Sequence, residues 1–363
     1  MTVMTKVKPA LDEARMENFA ERVCDILNDG AVGFMIFVGY RLRLFDAMSE
    51  RGGSGTSREI AADAGLAERY VREWLCSLTV GGLIDYEPES GRFTLPPEHA
   101  AMLCRNGAGE NLAVFSQHIP MVASIYETIL EVFRTGEGIS YENYPCFHEV
   151  MAEDSNMSVV SALFDNILPL LGEMQGRLEE GIDVFDAGCG RGQALMALAE
   201  RYPASRFTGY DLCEDAIDFA RFEVARRGLD NISFRVFDMT GFELEEKFDL
   251  ITSFDAVHDQ KDPQHYLKRI FRALRPGGLY LMQDIGGSAR LENNHDFPMA
   301  AFLYTISCTH CTPVSRAQGG EGLGTMWGWE TALDMLREAG FGKIEKNTLE
   351  HDPMNVWFIS RKG

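Results

Sequence analysis

The residues most capable of chemistry lie in one short run, Ile182-Asp-Val-Phe-Asp-Ala-Gly-Cys-Gly-Arg-Gly192. The pattern predicts a strand over 182–185, Asp186 at its carboxyl end, and a helix over 193–202. The glycines at 188, 190 and 192 permit a tight strand-to-helix turn and a close approach of ligand to backbone. In open α/β sheets a ligand binds at this carboxyl edge. The dinucleotide fingerprint G-x-G-x-x-G needs glycine where this chain has Gln193, so it fails. What remains is D-x-G-x-G-x-G.

The following segments repeat the theme. Residues 206–211 predict a second strand ending in Asp211, about twenty residues on, where an acid accepts hydrogen bonds from ribose hydroxyls in related nucleotide folds. A helix over 214–227 and a strand over 232–237 lead to Asp238-Met239. A fourth strand over 248–254 leads to Asp255-Ala-Val-His-Asp259, and Leu274-Arg-Pro-Gly-Gly-Leu-Tyr-Leu-Met282 carries a P-G-G turn into a fifth. Strands alternating with helices, with an acid closing each of the first three, predict an α/β domain that binds a nucleotide-like ligand. His258 follows the fourth strand at the ligand edge. An ordinary histidine has a pKa of about 6.5, so His258 is a candidate base, with a structural role in the loop as the equal alternative. Cys308-Thr-His-Cys311 lacks the second ligand pair of a zinc site, so no metal is expected. It reads instead as a polar loop, followed by the glycine-rich stretch 319–324, that closes over an acceptor with His310 and Cys311 facing it.

The elements in front must position this site. Residues 12–48 are patterned as helix, with Phe34, Phe37, Val38, Leu42 and Phe45 on a wide apolar stripe suited to packing within the domain or against a second subunit. Thr56-Ser-Arg-Glu59 resembles a capping box. A short helix, Gly65, a second helix over 67–80 and a hairpin over 83–95 give the winged helix-turn-helix arrangement. The second helix pairs Arg69 and Arg72 with Glu68 and Glu73, which does not suit a reader of DNA. Tyr141, Tyr144, Phe147 and His148 cluster ahead of a further helix and are candidates for an acceptor pocket, core packing being the commoner fate of aromatics.

Composition narrows the partners. The chain has 363 residues, long enough for two domains, and a formal net charge of −21. That field repels a phosphate backbone and suits a cationic ligand. The 8 cysteines are scattered and read as reduced thiols of a cytoplasmic protein. The N-terminus is polar and mixed in charge, unlike a signal peptide. The early apolar stretch 31–40 is too short to span a bilayer, so no membrane segment is expected.

With these motifs in place, the chain resembles the class I S-adenosylmethionine-dependent methyltransferases that carry an N-terminal winged-helix, regulator-type domain. The resemblance rests on RYVREWL (69–75), FTLPPEHAA (93–101), YPCFHEVMAEDS (144–155), FDAGCGRG (185–192), FDAVHDQ (254–260), LRPGG (274–278) and HCTPVS (310–315). It implies a Rossmann-like methyltransferase sheet behind a mostly helical winged-helix domain, over 1–105, a connector with acceptor-pocket residues over 106–175, and a catalytic domain over 176–363. S-adenosylmethionine would be held by Asp186, Gly188, Gly190 and Gly192 at its amino-acid end. Asp211 and Leu212 would hold the ribose, Asp238 the adenine amino group and Met239 the ring face, with Phe254 and Asp255 completing the set. His258 and Asp259 are the implied catalytic residues, and Tyr141, Phe147, His310 and Cys311 the acceptor contacts. Plant-type O-methyltransferases place a catalytic histidine after an L-H-D-W segment; here the later histidine is offset to His265, so that role does not transfer to it. The implied activity is methylation of a small molecule between domains of a homodimer, with S-adenosylhomocysteine as product. A thiol acceptor is favoured slightly. A phenol or alcohol O-methyltransferase and an S-adenosylmethionine-sensing transcriptional regulator are the alternatives.

Overall fold

The computed structural model describes residues 11–363. The chain divides into two compact units, Met1–Pro120 and Met121–Gly363, whereas the sequence reading sets its boundaries at 105 and 175.

The first unit opens with a single helix of 29 residues, Glu13–Arg41, whose start is capped by the Asp12 side chain accepting from the Arg15 N–H. The apolar stretch 31–40 is therefore the end of a longer helix, which by length and composition is apolar enough to cross a membrane. Met16, Phe19, Val23, Ile26 and Leu27 are exposed along it. Helices Leu44–Arg51, Ser57–Ala64 and Glu68–Val80 follow. Thr56 and Glu59 form the expected capping box, and Gly65 closes that helix in the left-handed region. The wing is β1 (Asp85–Glu87) paired antiparallel with β2 (Arg92–Thr94). Tyr40, Phe45, Ile60, Trp74, Leu75 and Phe93 form the core. On the second helix of the motif, Arg72 holds Glu68 through two hydrogen bonds of 2.8 and 2.7 Å and Arg69 pairs with Glu73, so both arginines are spoken for locally.

The second unit is built on β3 (Asp183–Ala187), β4 (Arg206–Asp211), β5 (Ile232–Val236), β6 (Phe248–Phe254), β7 (Leu274–Ile285), β8 (Lys343–Leu349) and β9 (Asp352–Arg361). They form one seven-stranded sheet in the order β5-β4-β3-β6-β7-β9-β8. The first five strands are parallel, and β9 runs antiparallel between β7 and β8. β6 is buried from Phe248 to Ser253 without alternation, as expected of a parallel strand covered on both faces. The helices Gln193–Arg201, Glu214–Arg227 and Pro263–Ala273 make the crossovers. The last has Pro263 in its first turn and Asp262 as its cap, accepting from the His265 N–H. Strand order reverses between β3 and β6, which opens a crevice at their carboxyl ends.

Two segments outside the sheet differ from regular helix. Phe147–Ser155 continues into wide π-type turns at Asn156–Val160 and Leu163–Ile167. Ala300–Ile306 and Thr312–Ala317 are joined by a π-type turn over Ser307–Cys311. The segment read as a polar loop at 308–311 is therefore helical. The extra residue of a π turn rotates the chain so that His310 and Cys311 are buried.

Candidate active site

The glycine turn is tied to the sheet at both ends. The N–H groups of Gly188 and Cys189 both donate to the Tyr210 carbonyl, at 2.9 and 3.0 Å. Gly188 has φ +78°, and a Cβ there would lie 2.6 Å from the Ala256 Cβ. Gly192 has φ +68°, and its Cβ would lie 2.3 Å from the Phe234 ring. No other residue fits either place. A Cβ on Gly190 would meet nothing within 4 Å. Gly190 lines a cleft, so its open side is room for a ligand.

Acids surround this cleft. Asp186 lies within β3, not beyond its end, and Thr252 Oγ1 donates to its Oδ1 at 2.8 Å. Burial pushes its carboxyl up to about 7. Asp211 ends β4 and accepts the Gly190 N–H on Oδ2 (2.8 Å) and the Cys213 N–H on Oδ1 (2.9 Å). Each oxygen keeps a further lone pair for a hydroxyl. Burial also raises this carboxyl. Asp238 differs. Burial raises it, but Lys261, donating at 2.6 Å, and Thr240 outweigh burial and hold it below its ordinary value.

The loop after β6 forms the opposite wall. Asp255 sits at φ +49°, the strained left-handed region for a non-glycine residue. Its Oδ2 accepts from Gln283, its Oδ1 is buried with no hydrogen-bond partner, and burial raises its pKa. His258 Nδ1 lies 2.7 Å from Asp284 Oδ1, and Nε2 lies 3.4 Å from Asp259 Oδ1. Burial alone would strip the proton from His258, but Asp284 and Asp259 outweigh it and hold the imidazole well above its ordinary value. Trp327 Nε1 donates to the same Asp284 oxygen at 3.0 Å, which fixes the carboxylate behind the histidine. Asp259 Oδ2 accepts from the Tyr141 hydroxyl at 2.9 Å. Burial, reinforced by Asp259, pushes the Tyr141 phenol well up. Phe147 stacks on His310 with centroids 4.2 Å apart, and Tyr144 meets the same imidazole edge-on at 4.6 Å. Burial lifts the Cys311 thiol to about 12.

The cleft is thus lined by Tyr141, Phe147, Asp186, Gly188, Gly190, Gly192, Asp211, Leu212, Asp238, Met239, Phe254, Asp255 and Asp259. His258, His310 and Cys311 are buried in the layer behind. They meet cleft-lining side chains, His258 beside Asp259 and His310 against Phe147 and Tyr141. His265 is on a helix, bonded to Arg269, apart from the wall. Sequence reasoning missed Asp284 and Lys261, and offered Trp327 only as a weaker candidate beside Glu321 and Trp329. An acid closing the apolar run Tyr280-Leu-Met-Gln-Asp284 was the one available signal for the first.

Comparison with known proteins agrees with this architecture. Residues 178–340 match the family described as the methyltransferase domain, and residues 30–105 match the Rv2258c-like winged HTH domain. A malonyl-[acyl-carrier protein] O-methyltransferase of Bacillus cereus is 26% identical over 176 residues, which is 48% of this chain and 60% of that protein. A ubiquinone biosynthesis O-methyltransferase of Coxiella burnetii is 31% identical over 128 residues, 35% of this chain and 49% of its own length. Against these curated relatives, the chain thus spans only about half of their length. Among solved structures, the mitomycin 7-O-methyltransferase MmcR has a TM-score of 0.67 at 20% identity, covering 96% of this chain and 100% of its own. Human N-acetylserotonin methyltransferase in complex with SAM has a TM-score of 0.64 at 17% identity, covering 98% of this chain and 100% of its own. The chain therefore carries a methyltransferase domain of the class I, Rossmann-like fold behind a winged helix-turn-helix domain.

Proposed function

We propose that this chain is an S-adenosylmethionine-dependent methyltransferase acting on a small-molecule acceptor, with a thiol as the favoured nucleophile. The observation that carries the proposal is the turn at 188–192. It is locked to β4 by the Tyr210 carbonyl, open at Gly190, and ringed by Asp186, Asp211 and Asp238. These residues fit the cofactor. Gly190 leaves space where any side chain would stand, and the acids offer hydrogen-bonding oxygens to a ligand's amino and hydroxyl groups. Asp186 and the turn would hold the amino-acid end, Asp211 with Leu212 the ribose, and Asp238 with Met239, Phe254 and Asp255 the adenine side. When bound, the cofactor supplies an electrophilic methyl group on sulfur and departs as neutral S-adenosylhomocysteine.

The chain's own work is to orient the acceptor and take up its proton. Asp259 is the group that reaches the cleft, and the Tyr141 hydroxyl fixes its Oδ2. His258 carries a raised pKa and faces Asp284, so it holds Asp259 in place and is not itself the base. Such a wall has no strong neutral base, which favours an acceptor that ionises readily. A thiol, with a pKa of about 8.5, needs little help. The O-methyltransferase names of the relatives keep a phenol or alcohol as the second reading.

A sensor that regulates transcription is the reading from another class. The arginines paired on helix Glu68–Val80 leave it no cationic face for DNA. The exposed residues Met16, Phe19, Val23 and Ile26 recur at three- and four-residue steps, which supports a homodimer formed through the first helix. The eight cysteines, all free thiols, support a cytoplasmic setting.

The test is a transfer assay with methyl-labelled S-adenosylmethionine against small thiols, phenols and amines. Labelled product with a thiol supports the reading. Cofactor binding with no transfer to any acceptor overturns it and makes a DNA-binding screen the next step.

A further inference from the structure

One cluster of side chains takes no part in the methyl-transfer chemistry proposed above, although His148 is among the sequence candidates for an acceptor pocket. We infer that His148, Cys213 and Asp215 form a binding site for a zinc-class divalent metal ion at the rim of the cleft. His148 follows Phe147 on the helix Phe147–Ser155, while Cys213 and Asp215 flank the start of helix Glu214–Arg227. One ligand atom from each lies within 4.8 Å of the other two. His148 Nε2 stands 3.5 Å from Asp215 Oδ1. Metal–ligand bonds of about 2.0–2.3 Å in tetrahedral array separate neighbouring ligand atoms by about 3.3–3.7 Å, so this spacing is that of one edge of a zinc polyhedron.

The chemistry of the set agrees. One imidazole, one thiol and one carboxylate are the ligand types of zinc, and three protein ligands leave a fourth position open. The surrounding hollow is lined by Glu142, Glu149, Glu214 and Asp218 in addition to Asp215, with Arg191 as its cation. That field concentrates a divalent cation. The other two groupings of this kind, His258 with Asp259 and Cys311, and Asp255 with His258 and Asp284, are packed inside the wall and already bonded to one another. The His148 side chain is 11% exposed and Asp215 is 70% exposed, so the rim site has an entry path that those lack.

The site stands or falls without any statement about methyl transfer. The full-length chain is stripped of metal, loaded with zinc, dialysed and assayed for bound zinc. Cobalt is titrated in parallel for the thiolate-to-metal charge-transfer band. The expected result is one zinc per chain and a cobalt band that disappears in Cys213→Ser, with zinc affinity down at least tenfold in His148→Gln and in Asp215→Asn. Cys146→Ser removes the other thiol on the rim and is expected to change neither readout. Asp215 is a surface residue, so its variant decides the matter even where Cys213→Ser does not fold. No retained zinc, affinity unchanged in Asp215→Asn, or a cobalt band that follows Cys146 instead of Cys213 overturns the assignment.

Discussion

Replacing Asp186 with Asn changes how the fold responds to pH, and the size of the change follows from burial. Asp186 is fully enclosed, and its carboxyl is raised from 3.8 to about 7. Below pH ~3.8 the folded and unfolded chains both hold this proton and the site costs nothing. As pH rises, the unfolded chain ionises first and the folded chain is progressively penalised, until the folded carboxyl also ionises near 7. At 1.36 kcal/mol per pKa unit the full penalty is about 4 kcal/mol, of which less than half is already present at pH 5. Asn keeps an oxygen to accept from Thr252 and has no charge to suppress. The stability of Asp186→Asn relative to wild type therefore rises by about 2–3 kcal/mol between pH 5 and pH 8. Urea unfolding of both proteins at the two pH values and fixed ionic strength measures this. Taking the difference between proteins cancels the titration of distant groups. A difference that stays constant within about 0.5 kcal/mol, or falls with pH, refutes the view that Asp186 is a buried carboxyl held protonated.

Other expectations are as direct. Gly192→Ala places a methyl group against Phe234 at positive φ and is expected to cost about 3 kcal/mol or more, read as a lower Tm. Gly190→Ala meets open space, so it costs the fold only about 1–2 kcal/mol but narrows the cleft, and calorimetric titration is expected to show cofactor affinity at least tenfold weaker. Asp259→Asn is expected to lower kcat roughly 10²-fold with little change in KM, whereas His258→Gln lowers it less and shifts the pH profile, as a positioning residue should. Phe19→Glu with Ile26→Glu places charges on the exposed face of the first helix and is expected to convert a dimer to a monomer by light scattering.

The legible part of this molecule is the part that depends on local pattern. The strand over 248–254 and the helix over 214–227 appear with the predicted limits, the helix because it ends at a left-handed glycine, Gly228. The glycine turn is equally local. What escaped depends on distant partners. Asp284 sets the state of His258 from the neighbouring strand, 26 residues away, and Lys261 reaches back across 23 residues to Asp238. No spacing rule links such pairs. The turn at Ser307–Cys311 was misread because a π-type turn has no composition of its own, and Thr, His and Cys are as common in loops. His310 and Cys311, expected to face an acceptor, are buried beside the cleft-lining Phe147, Tyr141 and Asp259. The antiparallel pair β8 and β9 was not read at all. In β8 the two lysines and the glutamate of an edge strand mask the pattern.

The central claim is that the turn at 188–192 and Asp211 bind S-adenosylmethionine. Isothermal titration of the full chain with S-adenosylmethionine and with S-adenosylhomocysteine, wild type beside Asp211→Ala, tests it most directly. The account predicts one site per chain for both ligands and at least a tenfold loss in the variant, because the ribose then loses an acceptor that Gly190 and Cys213 hold in place. No binding to the wild type, or equal binding by a folded Asp211→Ala, contradicts it.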